Sequence, residues 1–199
     1  MYVWAMPVTK IPRDALLELT WGLLHRQGYH ATSIADVARA AGMSKPGALH
    51  HFKTKAGMMG AVLAWARERY GDYVLSAFAK TGPRPDGTSW TLDTRLAEVL
   101  RRQFHLATMN DRAGCFFGNA ILETGGRGPF GEALRAFYDD WIAAATAALS
   151  ERFDASRARE LADELFAGYQ GTILLYKLDG DEDRFTRFRE SALALIATS

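Results

Sequence analysis

Apolar residues recur at helical spacing along nearly the whole chain, and the positions where that spacing breaks divide it into short and long elements. From Pro12 to Gln27 the residues Ala15, Leu16, Leu19, Leu23 and Leu24 share one stripe, with Pro12 suited to a first helical turn and Gly28 ending the helix. Thr32-Ser33 opens a second helix of about nine residues, whose stripe Ile34, Val37, Ala38 and Ala41 closes at Gly42. Ser44 caps an equally short third helix with Pro46 in its first turn, and Leu49 and Phe52 supply its inward face. After Lys55 the pattern continues to Ala79 as one rod of about 39 Å, long enough to join two domains. The breaker-rich Lys80 to Gly87 reads as a surface loop. Further helices are expected over Leu92–Met109, Cys115–Leu122, Pro129–Arg152, Ser156–Lys177 and Asp183–Ala197. No segment alternates as a strand bounded by hairpin turns, so the fold class is all-α: a head over residues 1–54 and a larger helical bundle over 55–199.

Composition narrows the class without choosing a function. With 48% hydrophobic and 24% charged residues in 199, the chain is expected to pack a core. A lone Cys115 allows no intramolecular disulfide and no cysteine metal cluster, which fits a reducing, intracellular setting. The apolar opening Met1 to Pro7 lacks the basic start of a signal peptide and is expected to fray. Charges or glycines interrupt every apolar run, so no membrane span is expected.

The net charge of +1 hides an asymmetry. Residues 1–55 hold seven Lys/Arg against three acids, whereas the rest of the chain holds seventeen against twenty; four of the five histidines also lie in that first segment. Such a basic end points to a polyanion partner. Two short helices joined by Gly42-Met43-Ser44 make a helix-turn-helix, whose second helix can enter a major groove about 12 Å wide. On its outer face Lys45, Gly47, Ala48, His50 and His51 carry no large apolar group, so the backbone can approach DNA while lysine and imidazoles reach phosphates or guanine acceptors. Lys55, with the N–H groups opening the long helix, can clamp a further phosphate. Generic packing of short amphipathic helices is the competing reading of this segment.

The continuous run from Gly28 to Lys55, GYHATSIADVARAAGMSKPGALHHFKTK, resembles the DNA-binding signature of the tetracycline-repressor (TetR) family. The resemblance covers about residues 11 to 65; the remainder is similar only in helical pattern and length. It implies a cytoplasmic homodimer whose larger domain binds a small molecule and controls the DNA heads. Residue by residue, it implies phosphate contacts at Thr32 and Ser33, base reading from Lys45, Pro46, Gly47 and Ala48 just after the Ser44 cap, and a second phosphate contact at Lys55. The chain departs from the family pattern at Leu49-His50, where an aromatic residue is common, at Ala48, where a larger apolar residue is, and at Gly57, where an acid is frequent.

Other motif matches carry little. Gly126 to Gly131 has dinucleotide-loop spacing but no preceding strand. Asp179, Asp181, Asp183 and Glu190 stand at calcium-loop offsets, yet Arg184 replaces the required glycine, so helix capping explains those carboxylates better. No nucleophile with its base, metal-ligand set or phosphate loop is present, so neither catalysis, nor a metal, nor a cofactor is expected. Cys115 reads as a small buried group, with a redox-responsive regulator or a helical small-molecule enzyme as alternatives.

Bulky residues in the bundle, Trp65, Phe104, Phe117, Ile121, Trp141, Phe166 and Tyr169, are candidates to line a site for an apolar or aromatic effector, although each fits a plain core as well. Leu161, Leu165, Gly168, Thr172 and Tyr176 on one helix, and Phe185, Phe188, Ala192 and Leu195 on the last, form stripes suited to pairing with a second copy. Such an interface would set two reading helices about 34 to 36 Å apart, on a palindromic double-stranded operator. The function expected is a homodimeric repressor released from that operator by its effector.

Overall fold

The computed structural model describes residues 11–198, so the expectation for Met1 to Pro7 lies outside the described residues. Among these the architecture is all-α: α1 (Arg13–Ala31), α2 (Ile34–Ala40), α3 (Lys45–Phe52), α4 (Lys55–Tyr73), a 3-10 turn (Leu75–Ala79), α5 (Leu92–Arg112), α6 (Phe116–Thr124), α7 (Gly131–Leu149), α8 (Ala155–Asp179) and α9 (Asp183–Thr198). Among the described residues no helix is long and apolar enough to cross a membrane.

Local chemistry explains most boundaries. Ser33 and Asp36 form a capping box on α2, and Ser44, Thr54 and Asp154 each accept a backbone N–H that opens α3, α4 and α8. Gly28, at φ 82, ends the regular turns of α1, leaving a last irregular turn to Ala31. The 39 Å rod is not formed: the α-helix ends at Tyr73, and Val74, still at right-handed helical angles, leads into the tighter 3-10 turn that packs on α5 and α7. The regular part of α5 ends before Met109, since Asn110 and Asp111 adopt left-handed angles.

One continuous apolar core runs from the head into the bundle. Leu16, Leu24, Val37, Ala48, Phe52 and Met58 fill the space between α1 and the short helices, and Trp141, Phe137, Leu100, Leu161 and Tyr169 fill the bundle. The face of α3 differs from expectation by one position. Ala48 and Phe52, four residues apart, are buried, whereas Leu49 turns about 100° away to the surface. A methyl group is what the contact with α2 leaves room for, so Ala48 packs rather than reads.

The stripe expected to pair two copies is spent inside the chain. Leu161, Leu165, Tyr176 and Ala192 are buried in their own bundle. The Phe185 ring stacks on Phe104 at 4.3 Å, Phe188 presses so closely on Gly168 that a Cβ there would lie 2.5 Å from the ring, and Leu195 is half-buried against the same core. Thr172 donates its hydroxyl to Gly168 O at 2.8 Å. The reason is that α9 folds back onto α8 and α5, covering that face. The opposite face of α8 remains open: Ala167, Gly171, Leu174, Leu175 and Leu178 are exposed at helical spacing, with Leu178 80% accessible.

Candidate nucleic-acid interface and internal cavity

The protruding edge of the head is α3. Ser44 Oγ accepts from Gly47 N at 3.2 Å, fixing the first turn, and behind it Lys45, Pro46 and His50 are exposed, with Gly47 and His51 half-buried. A Cβ at Gly47 would sit 3.3 Å from Ser44 Oγ, so glycine keeps this surface flat. The two imidazoles diverge, with ring centroids 6.0 Å apart at 80°, an arrangement that spreads donors rather than sharing one ion.

The entry to α2 is a second edge. The Ser33 hydroxyl and N–H both donate to Asp36, which pulls that carboxyl below the ordinary range, the hydroxyl bond being the largest cause and Arg39 a lesser one. Two expected contacts are otherwise engaged. Thr32 is buried and donates its hydroxyl to Gly28 O at 2.7 Å, tying the irregular turn. Lys55 donates to His30 O at 2.8 Å, and its ammonium lies over the Tyr29 ring, so it closes the end of α1. Lys53, at φ 63, projects between α3 and α4 and is exposed. Gly57 has a steric reason: a Cβ there would lie 2.4 Å from Phe52 O, so an acidic residue would push α4 off α3.

The bundle contains a cavity of about 470 Å³. Of the residues expected to line an effector site, Trp65, Phe117 and Tyr169 do so. Trp141 is packed between Phe78 and Phe166, Phe104 is sandwiched against Phe185 and Tyr169, and Phe166 lies on Tyr138, all as core. Ile121 is on the surface, because α6 turns its Phe116, Phe117 and Ala120 face inward.

Residues not among those candidates also line the wall, Trp21, His25, Tyr70, Tyr73, Met109 and Phe116 among them. Spacing held a signal, since Trp21 and His25 are one turn apart on α1 and Trp65, Arg69 and Tyr73 repeat every four residues on α4. Trp65 Nε1 donates to Asp14 at 2.6 Å, and Arg69 pairs with the same carboxylate while lying over the Trp65 ring. Tyr70 hydroxyl accepts from Gln103 at 2.6 Å, and burial raises its pKa well above the usual value. His25 Nε2 donates to Gly114 O at 2.8 Å and Nδ1 accepts from Asn110 at 3.1 Å, the neutral tautomer. Burial lowers its pKa to about 4, the Gly114 bond opposing and Lys177 and Arg26 adding to the shift. Cys115 also reaches the cavity, with Sγ accepting from Gly118 N at 3.4 Å. The calcium-like carboxylates are engaged by arginines, Asp179 by Arg184 and Asp181 by Arg187.

Comparison with known proteins agrees with this layout. The family described as "Bacterial regulatory proteins, tetR family" matches residues 16–62, and "Transcriptional regulator LmrA/YxaF-like, C-terminal domain" matches residues 95–191. The HTH-type transcriptional regulator CymR of Pseudomonas putida is 27% identical over 184 residues, covering 90% of this chain and 86% of that protein. The HTH-type transcriptional repressor DhaR of Mycobacterium sp. (strain GP1) is 24% identical over 189 residues, covering 88% and 87%. A TetR transcriptional regulator from Legionella pneumophila superposes with a TM-score of 0.80 at 19% identity, covering 94% of this chain and 97% of that one.

Proposed function

Because the chain belongs to the tetR family of bacterial regulatory proteins and is a DNA-binding transcriptional regulator, we propose that it works as a cytoplasmic homodimeric repressor, released from a palindromic operator by a small apolar or aromatic effector. The observation that carries this reading is α3: a capped, protruding helix with Lys45, Pro46 and His50 on its free face and Ala48 and Phe52 holding it from behind. Residues 11–54 form the head in this reading and residues from 55 onward the sensor. Ser33, Ser44, Lys45, Pro46, Gly47, His50 and His51 face the operator. Thr32, Ala48 and Lys55 act by shaping the head.

Two copies pair through the open face of α8. Leu174, Leu175 and Leu178 have no cover in one chain, and Gly171 leaves open space for a partner backbone to approach. The cavity is the effector site, with Trp65, Phe117 and Tyr169 among its walls. A redox role for Cys115, whose sulfur reaches that cavity, is the second reading; Cys115→Ala abolishes the response in that case and preserves it in ours.

The test begins with operator duplexes selected from random DNA by the full-length protein. Lys45→Ala should weaken binding and reduce the slope of log affinity against log salt by about one unit. An unchanged affinity and slope would overturn the assigned contact.

A further inference from the structure

The cavity is not confined to the sensor, because Trp21 and His25 of α1 form part of its wall and α1 is also packed on α2 within the head. An occupant therefore touches the base of the reading head itself.

The chemistry of the wall selects the occupant. Both His25 nitrogens are hydrogen-bonded, Arg69 is paired with Asp14 and stacked on Trp65, and Asp72 is exposed to solvent. An anionic group placed inside would lose hydration without finding an unspent cation, since Arg69 is already paired, whereas the rings of Trp21, Trp65, Tyr70, Phe116, Phe117 and Tyr169 offer contact to a flat apolar body.

One short segment joins the cavity to α1. After α5, Asn110, Asp111 and Arg112 hold φ of 54, 62 and 59, three successive non-glycine residues in the left-handed region, followed by Gly114 at 82. From this backbone Gly114 O accepts from His25, Asn110 Oδ1 accepts from Arg26 Nη1 at 3.1 Å, and Asn110 Nδ2 donates to His25 Nδ1. Met109, Gly114 and Cys115 of the same stretch face the cavity. The segment is thus a clasp on α1 whose other side touches any ligand.

We propose that the cavity takes an uncharged aromatic compound that bears directly on Trp21 and His25 and opens the Asn110 clasp on α1, so that the reading head is loosened at its own base. This rests on the effector reading above, which supplies the sign of the response. Each clasp hydrogen bond shifts the closed-to-open ratio by roughly two- to tenfold. By linkage, the ligand weakens operator binding by the same factor by which operator weakens ligand binding, and opening the clasp tightens the one and weakens the other, each in proportion to the population of its own competent state.

The test uses the full-length protein, 2-naphthol as the uncharged probe and 2-naphthalenesulfonate as its charged counterpart. Calorimetry measures probe binding, and fluorescence anisotropy of a labelled selected operator measures release. The expected results are 2-naphthol binding at least tenfold tighter than the sulfonate, and lower operator affinity in its presence. Asn110→Gly suits φ 54 and removes both side-chain contacts. It should tighten 2-naphthol by about three- to tenfold and weaken operator binding by at least twofold. Arg26→Ala, an exposed half of the clasp, should act in the same direction more weakly. Equal or tighter binding of the sulfonate, or no binding of 2-naphthol, would overturn the ligand class. Both variants leaving both affinities within twofold would overturn the clasp. Probe binding that responds to Asn110→Gly without any release of operator would refute the effector reading and leave the contact with α1 standing.

Discussion

Acidification from pH 7 to pH 5 should remove folding stability through His25 specifically. In the unfolded chain its imidazole titrates near the ordinary 6.5, whereas in the fold burial lowers its pKa to about 4. A lowered histidine pKa means that the neutral form is the folded form, so the stabilisation is complete above the unfolded value and is lost as pH falls toward the folded one. Integrating between those two values gives a loss of about 2 kcal/mol by pH 5 and a ceiling of about 3 kcal/mol at and below pH 4. The groups facing the ring agree with that sign. Its Nδ1 accepts from Asn110, a bond that protonation destroys, and Arg26 and Lys177 repel the cation, with the Gly114 carbonyl alone favouring it. Carboxylates enter lower: Glu98, held to about 2 by Arg101 first and Arg102 after burial's opposing effect, and Asp179, held to about 2 by Arg184, lose their contributions only below their ordinary range. The assay is urea unfolding followed by circular dichroism at one protein concentration. With a slope of about 2 kcal/mol/M, the wild-type midpoint should fall by about 1 M between the two pH values. His25→Gln can still donate to Gly114 but does not titrate, and should show a much smaller fall. A wild-type midpoint that stays level, or a variant that falls equally, would refute the reasoning.

Two further outcomes follow from packing. Replacing Leu174 and Leu178 with Asp, residues 59% and 80% exposed in one chain, should convert the dimer to monomers in sedimentation and weaken operator binding by orders of magnitude while preserving helicity; a dimer that persists would place the interface elsewhere. Gly57→Ala brings a Cβ to 2.4 Å from Phe52 O, so it should lower the thermal midpoint by several degrees and weaken operator binding; an unaltered midpoint would show that the junction of α3 and α4 yields freely.

The parts of this architecture that depend on local chemistry were readable before any coordinates. Ser33 and Ser44 cap helices because a short hydroxyl side chain reaches the backbone three residues on, and that spacing is visible in the letters alone. The parts that depend on which neighbour a face meets were not. In α3, Ala48 and Leu49 are both apolar and adjacent, and only the closeness of α2 decides that the smaller one turns inward. Helix α8 carries two apolar stripes, Leu161–Leu165–Tyr176 and Leu174–Leu175–Leu178, and periodicity cannot say which α9 will cover. The same ambiguity divides the aromatic residues: Trp65 meets the cavity and Trp141 packs in the core against Phe78, a distinction set by tertiary neighbours. Thr32 and Lys55 matched a DNA-contact pattern, yet in this chain they hold the irregular end of α1 created by Gly28, a role set by partners distant in sequence.

The central claim, that two α3 helices read one palindrome, is tested most directly by hydroxyl-radical footprinting of the purified protein on its selected duplex. The account predicts two equal protected patches on one face of the DNA, centred about 10 base pairs apart and both lost when Lys45 and His50 are replaced with Ala. A single patch, an asymmetric selected sequence, or protection that survives those replacements would contradict it.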